Sequence, residues 1–163
     1  MRGLLPLICL SVAGYSQTAN SSYSPGIDFA KYHTYQWATT RPHPDPQMDA
    51  KIREAIDAEL AMKGLTKTGS KPDLTLDYHV AISQKEQWTS FRYNELDTQS
   101  PQQITVYGGT LGIDIKDPAL NQVVWNGVIT KALDPNSSKG TMARNLGAAV
   151  KNLLKGYPPK LRR

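Results

Sequence analysis

The stretch LTLDYHVAIS, Leu74–Ser83, decides the fold. Leu74, Leu76, Tyr78, Val80 and Ile82 alternate with Thr75, Asp77, His79, Ala81 and Ser83. Successive side chains of a strand point to opposite faces, so the first set faces a core and the second faces solvent. A strand with one wet face belongs to a sheet covered on one side. Residues 85–102 then run polar and without a stable period, as a hairpin extension or a partly disordered connection. A second strand covers about Gln103–Lys116. Ile104 and Val106 share one of its phases, and Leu111, Ile113 and Ile115 the other. The change falls at Gly108–Gly109, where a bulge would re-aim the strand. Asp117, Pro118 and Asn121 make a turn. The third strand is Gln122–Leu133, with Val123, Trp125 and Ile129 set against Val124, Val128 and Ala132.

Upstream, Lys31–Thr39 is rich in aromatic and β-branched residues and reads as a strand, with His33, Tyr35 and Trp37 on one face. The segment RPHPDP breaks it. Asp45 is placed as a helix N-cap with Pro46 at the first helical position. Met48, Ile52, Ala55, Ile56 and Leu60 then form an amphipathic stripe that Gly64 closes, with Leu65 as the contact beyond the cap. Downstream, Ser138–Lys155 carries the stripe Met142, Leu146, Val150, Leu153 and Leu154. Gly156 is expected to cap it, and Pro158–Pro159 prevent continuation. The order is β-α-β-β-β-α. Adjacency makes the last three strands an antiparallel meander, and the first should lie parallel to a neighbour through a right-handed crossover. The expected fold is an α+β two-layer sandwich: a mostly antiparallel four-stranded sheet with two helices on one face.

The chain has 163 residues, one domain's worth, and is 39% hydrophobic and 20% charged, too apolar for a disordered chain. The expected division is a secretory signal at 1–16, a flexible leader at 17–26, one domain at 27–159 and a basic tail at 160–163. The first segment, MRGLLPLICLSVAGYSQ, has Arg2, then an apolar run from Leu4 to Ala13, then Gly14 and Ser16. That is the order of an export signal cleaved after Ser16. The alternative is a buried N-terminal strand or helix. Cys9 is the one cysteine. A mature chain from Gln17 would have none, and so no disulfide or thiolate chemistry.

Four fragments carry a resemblance. They are F-x-x-Y-x-T-Y-x-W (Phe29–Trp37), K-G-L (Lys63–Leu65), P-D-L-x-L-x-Y-H (Pro72–His79), and G-T-L-x-I-D-I-x-D followed by V-W-x-G (Gly109–Gly127). In order and spacing the chain resembles the bacterial domain of unknown function 4136 family over about Ile27–Pro159. These are small exported envelope proteins, many of them lipoproteins. The resemblance implies an envelope location and an α+β fold, and brings no reaction or catalytic residues. Lipoprotein signals place a small residue before the cysteine and usually Leu three before it. Here those positions hold Ile8 and Pro6, so lipid anchoring at Cys9 is not expected.

Charge is segregated along the chain. Net charge is +5. Past Asp134 there is no acidic residue, while Lys139, Arg144, Lys151, Lys155, Lys160, Arg162 and Arg163 are all basic. Lys151, Lys155, Lys160, Arg162 and Arg163 are candidates for contact with an anionic surface, set against the plainer reading of a solvated helix face. No aromatic-interleaved basic motif points to nucleic acid.

Candidate chemistry is sparse. Asp77 and His79 share a strand face, with Ser83 further along it, but no strained nucleophile turn of the G-x-S-x-G kind is present. His33, His43 and Asp45 match no zinc spacing, and Asp114, Asp117 and Asn121 match no calcium loop. No phosphate loop, metal or cofactor is expected. Trp88, Phe91 and Tyr93 with Arg92 could meet a partner or a headgroup layer, or fold back over the sheet edge. Asp77, His79, Trp88 and Arg92 are therefore the candidate interaction face. The sequence reading is a non-catalytic exported binding or assembly element with an unidentified envelope partner. Its rivals are a hydrolase using Asp77 and His79, and a peripheral anionic-lipid binder.

Overall fold

A computed structural model describes residues 18–38, 43–89 and 102–160. Its strands are β1 (Thr18–Tyr23), β2 (Thr34–Trp37), β3 (Thr66–Lys67), β4 (Leu74–Thr89), β5 (Gln102–Asp117) and β6 (Gln122–Leu133). Its helices are α1 (Pro46–Met62) and α2 (Lys139–Leu154), and a short 3-10 turn spans Phe29–Lys31. The sheet order is β1-β6-β5-β4-β2-β3. β4, β5, β6 and β1 are successively antiparallel, whereas β2 runs parallel to β4 and to β3.

The sheet is therefore six-stranded and mixed, not four-stranded and mostly antiparallel, within the same α+β class. Both missed strands lie on edges. All six residues of β1 are exposed, and it is held by backbone pairing to β6 from Thr18↔Thr130 to Tyr23↔Trp125. An edge strand needs no apolar face, so a polar sequence expected to be a flexible leader can fill it. β3 is two residues long and pairs with Thr34 and Tyr35 of β2.

The helices start and stop as their sequences direct. The Asp45 side chain accepts N–H bonds from Gln47 and Met48 and caps α1, with Pro46 first in the helix. Gly64 follows the helix with φ +84°, a conformation that favours glycine, and Leu65 is buried beyond it. Ser138 caps α2 through the Thr141 N–H. Gly156 does not end α2 by a left-handed turn. It is small because a Cβ there would collide with the Ser21 side chain on β1.

Both helices cover the same face. Ile52, Ile56 and Leu60 of α1 and Val150, Leu153 and Leu154 of α2 share one core with Leu74, Leu76, Ile113, Ile115, Trp125 and Ile129. The expected bulge at Gly108–Gly109 is absent, and β4–β5 pairing is continuous from Thr75↔Lys116 to Thr89↔Gln102. The irregularity lies in β6 instead. Ile115 pairs with Trp125 but Lys116 with Val123, leaving Val124 as the extra residue. The bulge buries Val124 beside Trp125 and turns Val123 outward, 44% exposed, against its expected phase.

Two carboxylates, half-buried Asp73 and buried Asp117, tie the elements together. Asp73 accepts bonds of 2.9 Å from the N–H groups of His33 and Thr34 and from the Thr34 hydroxyl, fastening β2 to the start of β4. Asp117 accepts from the Tyr32 hydroxyl at 2.7 Å, from Lys31 at 3.3 Å, and from the N–H groups of Ala119 and Leu120. Burial pushes its carboxyl up, and these donors outweigh that and hold it below the usual carboxylate range.

Candidate functional site

β4 has 16 residues and spans roughly 53 Å, whereas α1 has 17 and spans about 25 Å. The strands therefore outrun the helices that cover them, and a groove of about 310 Å³ opens where cover ends. Its floor is Val80 and Ile82 of β4, Gly109 and Leu111 of β5, and Ile129, Lys131 and Leu133 of β6. Met48 and Ile52 of α1 form one wall, and Met142, Leu146 and Ala149 of α2 the other. Val80 and Ile82 hold the inward phase expected for them but are 38% and 71% exposed, because no helix reaches them. Met142, expected in the buried stripe of α2, is 39% exposed at the same opening.

The groove is backed by a polar brace. Asp49 accepts from the Tyr78 hydroxyl, from Arg53 Nε at 2.9 Å and from the His43 N–H at 3.2 Å. Burial raises the Asp49 carboxyl, and these bonds reverse the shift and hold it low. Burial, then the bond to Asp49, pushes Tyr78 up to about 12. The Arg53 guanidinium lies 4.7 Å from the Trp37 ring centre. These groups satisfy one another and brace α1 against the sheet.

The open face carries Asp77 and His79 as expected. Asp77 lies directly opposite Asp114 on β5 and accepts the N–H of Tyr78. The exposed His79 ring lies across Gly112, with Nδ1 3.9 Å from Asp114 Oδ2. Ser83 is four residues along the strand from His79, roughly 13 Å away, and donates to the Gly108 carbonyl at 3.4 Å. A nucleophile and its base need hydrogen-bond reach, which this spacing denies to Ser83 and His79. Among the described residues no group of three or more His, Cys, Asp or Glu is placed to hold a metal.

The remaining candidates scatter. Trp88 lies in β4 opposite Gln103, and Arg92 lies outside the described residues. Lys151, Lys155 and Lys160 are exposed, whereas Arg162, Arg163 and the whole 1–16 segment lie outside the described residues. The sequence reading missed the groove. Two signals pointed to it: the inward phase of β4 continues past the reach of any helix, and Lys131 shares parity with Trp125 and Ile129.

The architecture is that of a small α+β sandwich with one helix-covered and one open sheet face. The chain belongs to the DUF4136 family, a domain of unknown function, which matches residues 19–159. That span begins inside β1, the strand hidden in the expected leader. No curated protein matches the sequence. Among the solved structures that share the fold are two of different origin. One is a PDZ domain protein from Parabacteroides distasonis, with TM-score 0.62 and 19% identity, over 91% of this chain and 38% of that one. The other is the PelC dodecamer from Paraburkholderia phytofirmans, with TM-score 0.52 and 12% identity, over 90% of this chain and all of that one. This chain thus spans well under half of the PDZ protein. At these identities the likeness is one of fold alone.

Proposed function

We propose that this chain is a non-catalytic binding module of the bacterial envelope that holds a single apolar chain in the groove between its helices. The observation that carries the reading is the grouping of Val80, Ile82, Leu133 and Met142, all large, apolar and exposed, around one concave opening. Scattered surface apolar residues need no explanation, whereas clustered ones in a groove mark a binding site. A volume of about 310 Å³ lies at the lower end of small-molecule sites, roughly 300–1,000 Å³, and suits one chain rather than a protein helix. Supporting the envelope location is the order of Arg2, apolar run and small residues at the N-terminus. Supporting the non-catalytic reading is the separation of Ser83 from His79.

The test is titration with the neutral fluorophore N-phenyl-1-naphthylamine. The parent should enhance and blue-shift its emission. Leu146→Glu, at a half-buried wall position, should abolish the effect while keeping the far-UV spectrum and a cooperative urea transition. A parent that leaves the fluorophore unchanged, or a folded variant that binds as well, overturns the reading.

A further inference from the structure

Among the described residues that line the apolar groove, one carries an amine. Lys131 sits on the inward row of β6, in phase with Trp125, Ile129 and Leu133, and is half-buried. A charged group on the core-facing side of a strand is costly unless hydrated or paired. Lys131 Nζ donates to Asn145 Oδ1 on α2 at 2.9 Å. Among the described residues no carboxylate lies within 4.0 Å of it. Asp134 stands at the same mouth, but its Oδ1 accepts the Asn136 N–H at 2.9 Å. The bond from Lys131 also orients Asn145. With Oδ1 engaged, the amide nitrogen is left as a donor, and two of the three ammonium N–H groups remain.

The floor beside the amine is cut away. Lys131 pairs with Gly109, and Gly109 with Ile82, so the middle of this cross-sheet row has no side chain. Leu133 folds into the gap, and a Cβ on Gly109 would lie 2.9 Å from its Cδ1. The result is an apolar trough with a cation and an amide at one side.

We infer that the ligand is a medium-chain fatty acid, its tail between Ile52, Leu111 and Leu146 and its carboxylate on Lys131 and Asn145. This rests on the groove reading above and adds the ligand's chemical class. Among the described residues, Lys131 is the one lysine of the groove and has no carboxylate partner, which matches one anionic head, and a charge-assisted bond to it is about twice as strong as a neutral one. The small volume favours one chain over the two of a membrane phospholipid.

The experiment displaces N-phenyl-1-naphthylamine from the full chain with dodecanoate, dodecanol and a twelve-carbon lysophosphatidylcholine, each below its micellar concentration. On the parent, dodecanoate should displace at least about tenfold more tightly than dodecanol. Lys131→Met should erase that difference by weakening dodecanoate, and should leave dodecanol binding intact and the urea transition cooperative. Equal displacement by the acid and the alcohol, or an unchanged preference in Lys131→Met, overturns the inference and leaves the groove reading standing. Tightest displacement by the lysophospholipid overturns it in favour of a lipid headgroup. Failure of the parent to bind the fluorophore overturns both.

Discussion

Trp125→Ala is the perturbation that most directly tests the packing. Trp125 is 1% exposed on β6 and lies edge-on to Tyr157, with ring centres 5.6 Å apart. Its ring also covers Gly127, where a Cβ would collide with it. The indole N–H donates to the Gly156 carbonyl at 3.1 Å, so one side chain joins the sheet to the segment after α2. Removing a buried Trp costs about 3–5 kcal/mol in lost transfer energy and cavity. The Gly156 carbonyl loses its donor as well, a penalty of about 1–3 kcal/mol if water cannot reach it. Such losses do not simply add, so the expected total is about 4–6 kcal/mol. Native stability is about 5–15 kcal/mol, so the variant should be barely folded or unfolded at 25 °C. Trp125→Phe keeps a ring against Tyr157 and loses mainly the hydrogen bond, and should fall between. Urea melts analysed at constant m give the order parent, Phe, Ala. A loss under about 1 kcal/mol for the Ala variant would show that β6 does not present Trp125 to the core.

Other outcomes follow from the same structure. Gly127→Ala places a methyl against the Trp125 ring and 2.8 Å from Leu153 Cδ1, and should cost about 1–3 kcal/mol by overpacking, read from the same melts. The depressed Asp117 carboxyl contributes stability that is full above the unfolded value near ~4 and lost as pH falls through the lower folded value. Asp117→Asn should therefore lower the urea midpoint at neutral pH and flatten its decline in acid; parallel declines in parent and variant would remove Asp117 from the account. Native protein purified from its source should begin near Gln17 by mass spectrometry, and an intact Met1 would refute export by cleavage. Lys160, Arg162 and Arg163 replaced together by Gln should weaken a salt-sensitive attachment to anionic liposomes, each charge contributing about 1 kcal/mol near such a surface, with the thermal midpoint unchanged. Equal binding by parent and triple variant leaves the basic end as a solvated face.

What could be read from the residues was whatever a side chain had to decide. The alternation in Leu74–Ser83, the Asp45–Pro46 start, the Gly64 stop and the burial of Trp125 each follow from apolar phase or cap chemistry, and the structure repeats them. β1 and β3 were illegible because backbone pairing alone holds an edge strand, and TANSSY has no apolar face to betray one. The bulge was misplaced for a related reason. Two glycines and a change of apolar phase at Gly108–Gly109 look like a kink, but Gly109 is small so that Leu133 can lie across it. The change of phase arises because β5 runs on past the helices, so Ile104 and Val106 pair with β4 where no helix covers either face.

The same overhang explains why the groove escaped a residue-by-residue reading. Periodicity fixes which face a side chain takes, not whether another element reaches it. Val80 and Ile82 keep phase with Leu74 and Leu76, yet they line an open groove rather than a core, because a strand advances more than twice as far per residue as a helix. Lys131 is the informative exception on β6. An inward-phase lysine contradicts a core assignment at that level of the sheet, so the mismatch itself marks where the core ends and the groove begins. Strand length set against helix length, combined with a charge on the inward row, locates this groove from the sequence once the pairing register is known. Lys131 is half-buried, whereas Lys139 and Lys151 of α2 are exposed. Its phase sets it apart, and that phase places its amine beside Asn145 rather than in open solvent.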